Sequence, residues 1–481
     1  MRRLNSILKN TSVLYVVLLD LIAVYTAWLI YTDSGKRPYF ALLPLMPLTY
    51  MAAATLCWFL FKSIPDNLGV TMMLAFEALK MVIIPLVIHL SGYYEYFGKK
   101  PAETIPKSIL LMVYECAAVF AVMALCHFRN RRSKTQAPAY TTNEKRYWII
   151  LLVLLVVTAI LIAIAPQSLA GYRMIFGVGD EEFTHLDVSE LISTLSTGFV
   201  SRLAMVLVRN FAIVLRILLP GAVIIALSKI RFGLPLSVIM AVTPFLIVDD
   251  AIGRSLYYTL ILFYLIYYVY KPRYAKELIT AGGVLAIVFL AVYWKARYSA
   301  NESTYGLYTY LSRVLNNYFG GLFMVTGTIE MDATARSKVL FFIADILKSV
   351  PFGNTIFRVG HIRYFQGFFN QINSAYGKIP PTIGIGRFYF GYALAPLYSC
   401  IFAAVSALEG EKAITDPNPY RKMTHLLAAV IFAFGFSMYT VQPTYSLFFY
   451  IVIPSMLITW LCREKKAQNK SAAGKREEKT A

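Results

Sequence analysis

This chain is organised around repeated apolar runs of 16 to 24 residues, and nothing else restricts its fold as much. A bilayer offers no water to satisfy backbone N–H and C=O groups, so runs of this length must close their hydrogen bonds internally, as helices. The two-residue alternation of a transmembrane β-barrel is missing. With 58% apolar residues and a mean hydropathy of +0.59, a soluble globular fold is excluded. The expected fold is all-α and polytopic.

Spans are predicted near 12–31, 39–61, 70–91, 108–127, 147–165, 206–228, 232–248, 255–270, 277–294, 388–408, 425–440 and 444–462. Twelve spans return both termini to one side. The segments Arg129 to Arg146, Lys229 to Arg231, Lys271 to Lys276, Lys412 to Lys422 and the tail from Arg463 share that side and are rich in Lys and Arg, which makes it the cytoplasm. The chain then divides into nine spans over 1–296, a large extracytoplasmic loop over 297–387, three spans over 388–462 and a disordered cytoplasmic tail over 463–481. The first span follows Met-Arg-Arg without a small-residue cleavage site and is expected to remain as an anchor. No repeat of fixed period and no similarity between the halves is visible, which weakens an inverted-repeat transporter.

The loop carries nine Lys or Arg against four acidic residues, together with many aromatics. Long loops translocate largely regardless of charge, so its basic character needs another explanation, and an anionic, sugar-bearing ligand is the leading one. About half of the basic residues behind the net charge of +20 are accounted for by topology, and the short cytoplasmic loops argue against a nucleic-acid footprint. Within the loop, Lys338 to Val350 reads as an amphipathic helix with Val339, Phe342, Ile343, Ile346 and Val350 on one face and Asp345 elsewhere. It is expected either to lie on the outer leaflet or cap the bundle, or to pack on the rest of the loop.

Cys57, Cys116, Cys126, Cys400 and Cys462 sit in or beside apolar spans, and the histidines show no ligand spacing, so neither disulfide nor metal site is indicated. Charges inside spans are more informative. Arg202, Arg209 and Arg216 recur every seven residues on one helix face, with Arg216 about 18 Å from the cytoplasmic end of its span. An arginine there costs at least ~2.5 kcal/mol unless it faces a cavity or a partner. The stripe is either a track for phosphate oxygens or a set of ion pairs with Glu77 or Glu115. Arg254 opens the eighth span, where a cation opposes the helix dipole and calls for an anionic partner: a ligand, or Asp249 or Asp250. Asp250 could alternatively act as a general base. Glu77 and Lys80, three apart, can neutralise each other, and Asp20 and Glu115 remain unassigned.

In the loop, Arg358, His361 and Arg363 precede Tyr364, Phe365, Phe368, Phe369 and Tyr376. The arginines suit pyrophosphate, His361 could remove a proton from a sugar hydroxyl, and Tyr364, Phe368 and Tyr376 could stack on sugar faces. A surface histidine and an interfacial aromatic belt would look the same in sequence. From Gly377 to Tyr392 the chain returns towards the membrane. Its Gly384-x-Gly386 follows no strand, so it is not a nucleotide site, and its prolines and glycines suit a tight turn.

That stretch, with Gly253-Arg254-Ser255 and the large loop before the last spans, resembles the oligosaccharide repeat-unit polymerases, the Wzy-type O-antigen and capsule polymerases. Members commonly show Gly-x-x-x-Pro-x-x-x-Gly-Glu-x-Tyr-x-x-Phe-Gly there; Arg387 stands here where the acid is usual. The resemblance implies a multi-pass protein of the bacterial cytoplasmic membrane and a transfer needing no metal or cofactor, in which an undecaprenyl-pyrophosphate-linked glycan is passed to an incoming repeat unit. A flippase and a chain-length regulator are implied as partners. Arg254 matches by motif, whereas Arg209, Arg216, Arg358 and Arg363 as pyrophosphate ligands rest on charge alone. An O-antigen ligase, and a flippase or transporter of lipid-linked oligosaccharide, are the alternatives.

Overall fold

The computed structural model describes residues 2–33, 37–60, 67–93, 103–132, 140–169, 173–174, 196, 198–248, 252–270, 306–331, 333–351, 353–357, 364–373, 379–437 and 440–465. Its helices are α1 (Arg2–Asp33), α2 (Leu45–Leu60), α3 (Leu68–Leu90), α4 (Thr104–Arg132), α5 (Glu144–Ile164), α6 (Phe199–Leu227), α7 (Gly233–Leu246) and α8 (Ile252–Tyr270). Then follow α9 (Leu307–Tyr318), α10 (Leu322–Ile329), α11 (Ala335–Ser349), α12 (Phe365–Asn373), α13 (Thr382–Phe390), α14 (Leu397–Thr415), α15 (Pro419–Ser437) and α16 (Val441–Leu461). Among the described residues, seven helical stretches are long and apolar enough to cross a membrane: 16–33, 38–57, 68–90, 104–129, 144–164, 199–227 and 441–461. The predicted ninth span, 277–294, lies outside the described residues.

The outer helices show what surrounds the molecule. On α5, Ile149, Leu152, Val156 and Ile160 are all exposed, and so apolar a surface on a helix of span length fits a hydrocarbon surrounding. In contrast α15, which has the length of a span but carries Arg421, Lys422 and His425, is buried over nearly its whole surface. A helix enclosed by protein has no lipid face and need not be apolar all round. It packs against α14, α8, α3 and α16, at the centre of the bundle.

Two spans contain a π turn, Leu79–Ile83 in α3 and Phe448–Val452 in α16. Each is followed directly by Ile-Pro, Ile84-Pro85 and Ile453-Pro454. A proline inside a helix has no N–H to give and crowds the carbonyl four residues back, and widening the preceding turn relieves that crowding. The shift also carries Lys80 within the widened turn.

The segment from 307 to 396 departs most from expectation. Instead of standing entirely above the bundle, it enters it twice. α9 lies along the last two turns of α3 and ends at Phe319, whose ring is 6.5 Å from that of Phe76, deep within α3. The chain reverses at Gly320, in the left-handed region at φ +57°, and α10 climbs back along α4 with all of its residues buried. A Thr326–Ser108 hydroxyl contact (3.0 Å) and a Thr104–Glu330 bond (3.4 Å) fix its course. α13 then runs beside α10, with Gly384 so close to Thr328 that a Cβ would lie 2.2 Å from its hydroxyl oxygen. Gly391 and a turn over 391–396 reverse the chain into α14. The expected span 388–408 is therefore two helices of opposite course, because the glycines of this stretch permit close packing and a reversal that a continuous span would not.

Two short antiparallel pairings tie the ends. Tyr140–Thr142 pairs with Arg463–Lys465, so the start of the predicted disordered tail is a strand; residues 466–481 lie outside the described set. Arg173–Met174 pairs with Ile247–Val248 at the end of α7.

Gly320 gives a direct test of the first excursion. An alanine there must adopt the left-handed region, at roughly 1–2 kcal/mol, and its Cβ would stand 2.9 Å from that of Pro381. Gly320→Ala is expected to lower the thermal midpoint of the purified protein, and an unchanged midpoint would mean that the turn is not held against Pro381.

Candidate functional site

At the buried ends of α13 and α14, polar groups from three directions meet at Glu115 of α4. Lys80 of α3 pairs with its carboxylate at 2.7 Å, each side chain being 1% exposed. Thr382, the first residue of α13, places its hydroxyl 3.1 Å from Oε1. Ser399 of α14 donates to the same oxygen, and the two hydroxyls are 2.9 Å apart. Phe436 of α15 closes the group, with its ring 4.2 Å below the Lys80 ammonium. This pairing corrects two expectations. Lys80 turns to Glu115 and not to Glu77, and neither acid is taken up by the arginine stripe. Glu77 is 1% exposed and neither of its oxygens has a hydrogen-bond partner among the described residues.

A second polar locus lies where α6, α7 and α8 pack together. Arg216 donates through Nη2 to the carbonyl of Pro244 at 3.0 Å, and its guanidinium stands 5.5 Å from the ring of Tyr258. Pro244 lies in the last turn of α7, where carbonyls find no N–H within the helix, so its oxygen is open to Arg216. Arg209 is half-buried one stripe position further along, and Arg202 is exposed. Arg254 stands in α8 one turn before Tyr258. Aromatic rings run in succession from this second locus to the tip of the first excursion. Tyr258 lies 4.6 Å from Tyr257, Tyr257 5.4 Å from Phe434, and Phe434 5.2 Å from Phe76, which reaches Phe319 at the tip of the first excursion.

The third locus lies between α11, α12 and α13. Asp345, expected on the polar side of its helix, is buried at 4% exposure. Tyr389 donates to Oδ2 at 2.7 Å and the Phe365 N–H, at the start of α12, donates to Oδ1 at 3.2 Å. The sequence did carry the signal: Asp345 follows Phe341 by four residues and so shares its aromatic, inward face. Burial pushes its carboxyl up to about 6, against the opposing pull of these two hydrogen bonds and of the Lys348 charge. Tyr364 lies under the Lys348 ammonium at 4.3 Å. Phe368, expected to stack on sugar, has its ring 5.2 Å from Phe341 and 6.1 Å from Phe388, within an aromatic cluster. Arg387 donates to the carbonyls of Thr328 and Met331, at the C-terminal end of α10, where a cation suits both the open carbonyls and the dipole. Asp250, Arg358, His361, Arg363 and Tyr376 lie outside the described residues, as does the side chain of Arg254.

Among the described residues no group of three or more His, Cys, Asp or Glu is placed to hold a metal ion. No family model, curated protein or solved structure matches this chain.

Two outcomes follow from the charges. Breaking a buried pair by removing one partner costs about 3–5 kcal/mol, so Lys80→Met is expected to destabilise the protein strongly. Adding Glu115→Gln should recover most of the loss, because the amide oxygen still accepts from Thr382 and Ser399; thermal midpoints of the single and double variants check this. Asp345 titrates in the folded protein near 6, above its ordinary 3.8. An acid raised in this way contributes stability that is complete below the unfolded value and lost as pH rises through the folded one. The thermal midpoint should therefore fall between pH 4 and pH 7 by more in the native protein than in Asp345→Asn, and equal slopes would remove Asp345 as the cause.

Proposed function

We propose that the protein is a membrane glycosyltransferase of the repeat-unit polymerase type, joining undecaprenyl-pyrophosphate-linked oligosaccharides into a cell-surface polysaccharide on the outer face of the bacterial cytoplasmic membrane. The observation that carries this reading is Arg216, a permanent cation held between α6, α7 and α8 with its guanidinium against Tyr258. Cations within apolar helices meet backbone carbonyls, other partners or a cavity, and they commonly mark substrate paths. A guanidinium binds phosphate oxygens without changing its protonation state.

In the proposed reaction a hydroxyl oxygen of the incoming repeat unit attacks the anomeric carbon of the growing glycan. The bond from that carbon to the pyrophosphate breaks, and the carrier leaves as polyprenyl pyrophosphate. The charge that develops on the leaving group is where arginines lower the barrier. Arg254, Arg216 and Arg209 stand on adjoining helices for that role, with Arg358 and Arg363 as further ligands. His361 and Asp250 are the candidates to accept the hydroxyl proton, and Tyr364 and Tyr376 are the aromatics retained for sugar stacking. Phe368 is better accounted for by its packing.

A second reading, movement of the lipid-linked oligosaccharide, is favoured by one observation. Transporters commonly bind ions where helices break within the membrane, and here the broken stretches α10 and α13 lie beside the buried Lys80–Glu115 pair.

Incubation of the purified protein with its polyprenyl-pyrophosphate-linked repeat unit in EDTA separates the two. A ladder at integer multiples of the repeat is expected. Unchanged glycan that has crossed a vesicle bilayer would establish transport, and a single transfer to a different acceptor would establish a ligase. Arg254→Ala should abolish the ladder while membrane insertion stays normal, and Arg216→Lys should lower the rate about tenfold or more, since an ammonium cannot bind bidentately.

A further inference from the structure

The helix α11 is apolar on two sides. Phe341 and Ala344 turn inward, while Val339 (58% exposed), Leu340 (45%), Ile343 (45%) and Ile346 (37%) form a row pointing away from the protein. The row follows the helical spacing over about two turns. Such a surface is unsuited to water, and its position in the fold identifies what covers it. Just before α11, Glu330 meets Thr104, the first residue of the α4 span; at its end, Ser349 donates to the carbonyl of Gln442, the second residue of the α16 span. The chain leading into this helix, about 22 Å long, and the last turn of the helix are thus both fastened at the first residues of spans, which places α11 at that end of the bundle.

Its outward row also continues onto further exposed apolar surface. Phe342 contacts Phe390, Phe390 contacts Tyr398, and beside them Leu394, in the turn before α14, and Leu397 and Ile401, on α14, are exposed. At the head of the row Arg336 is exposed in the first turn of α11. A cation at a helix N-terminus opposes the dipole and is better explained by an external anion.

We propose that α11 lies in the plane of the membrane interface, with Val339, Leu340, Ile343 and Ile346 among lipid acyl chains and Arg336 at lipid phosphates. One helix then separates the bilayer from the Asp345, Tyr389 and Phe365 cluster. This assignment holds whether the protein transfers or transports glycans, because it rests on the contacts of α11 alone.

The experiment uses the full chain in nanodiscs of phosphatidylethanolamine and phosphatidylglycerol. Its five cysteines are replaced by alanine, and a nitroxide is attached to Val339→Cys or Ile343→Cys. Collision with oxygen, which partitions into acyl chains, should exceed collision with a water-soluble nickel chelate severalfold at both positions. Nickel in excess would place the row in water, and low accessibility to both would place it under protein, such as a second copy; either overturns the proposal. Should the cysteine-free chain fail to fold, Ile343→Trp in the otherwise native protein gives the same decision. Its added fluorescence should be quenched by brominated lipid, and loss of fluorescence to aqueous acrylamide alone would refute the assignment.

Discussion

Glu115 is a charge that cannot be left alone, and much of the bundle is arranged around it. A carboxylate out of water is tolerated only when a cation and further donors compensate its lost hydration. Here the cation is Lys80, carried in a widened turn of α3, and the donors are the hydroxyls of Thr382 and Ser399 at the starts of α13 and α14. Three helices and the aromatic face of Phe436 are thereby drawn to one point. The start of α13 contributes as well, because open N–H groups at a helix N-terminus favour a nearby anion. The two excursions from the loop side reach this depth, with Gly320 against Pro381 immediately before Thr382.

This arrangement changes how the segment before the last spans contributes to function. A loop suspended above a bilayer would supply a polar surface only. A segment that folds into the bundle brings its own turns and caps inside, and these are held by carbonyls and hydroxyls, as when Arg387 closes the end of α10. The row of rings from Tyr258 through Tyr257, Phe434 and Phe76 to Phe319 links that inserted tip with the locus around Arg216. Packed interiors have little free volume and transmit displacements between contacting groups. A substrate that moved Arg216 would therefore act on rings that continue to the inserted hairpin.

Much of the architecture was legible beforehand. The boundaries of α3, α4, α5 and α16 fall within a few residues of the apolar runs, α6 begins two turns earlier than its run, and the helix beginning near Lys338 was visible from its spacing. The site was less legible. Glu77 and Lys80 are neighbours along one helix, which made them look like a pair, and Asp345 was read only as lying off the apolar face although its spacing from Phe341 pointed inward. The span expected at 388–408 failed because its apolar content continues across Gly391, where the backbone reverses.

The sequence by itself determined that this is a helical membrane protein, and that several cations and acids must be accommodated among its helices. Both conclusions depend on sums over local residues: the apolar content of about twenty positions, and the cost of placing a charge within them. Only the tertiary structure decided which charges compensate one another and which apolar stretch folds back. The partners of Glu115 stand 35, 267 and 284 residues away along the chain, a separation over which no local pattern carries information. Their meeting is fixed by the packing of whole helices, since a buried polar group takes whichever partner that packing brings within hydrogen-bonding distance.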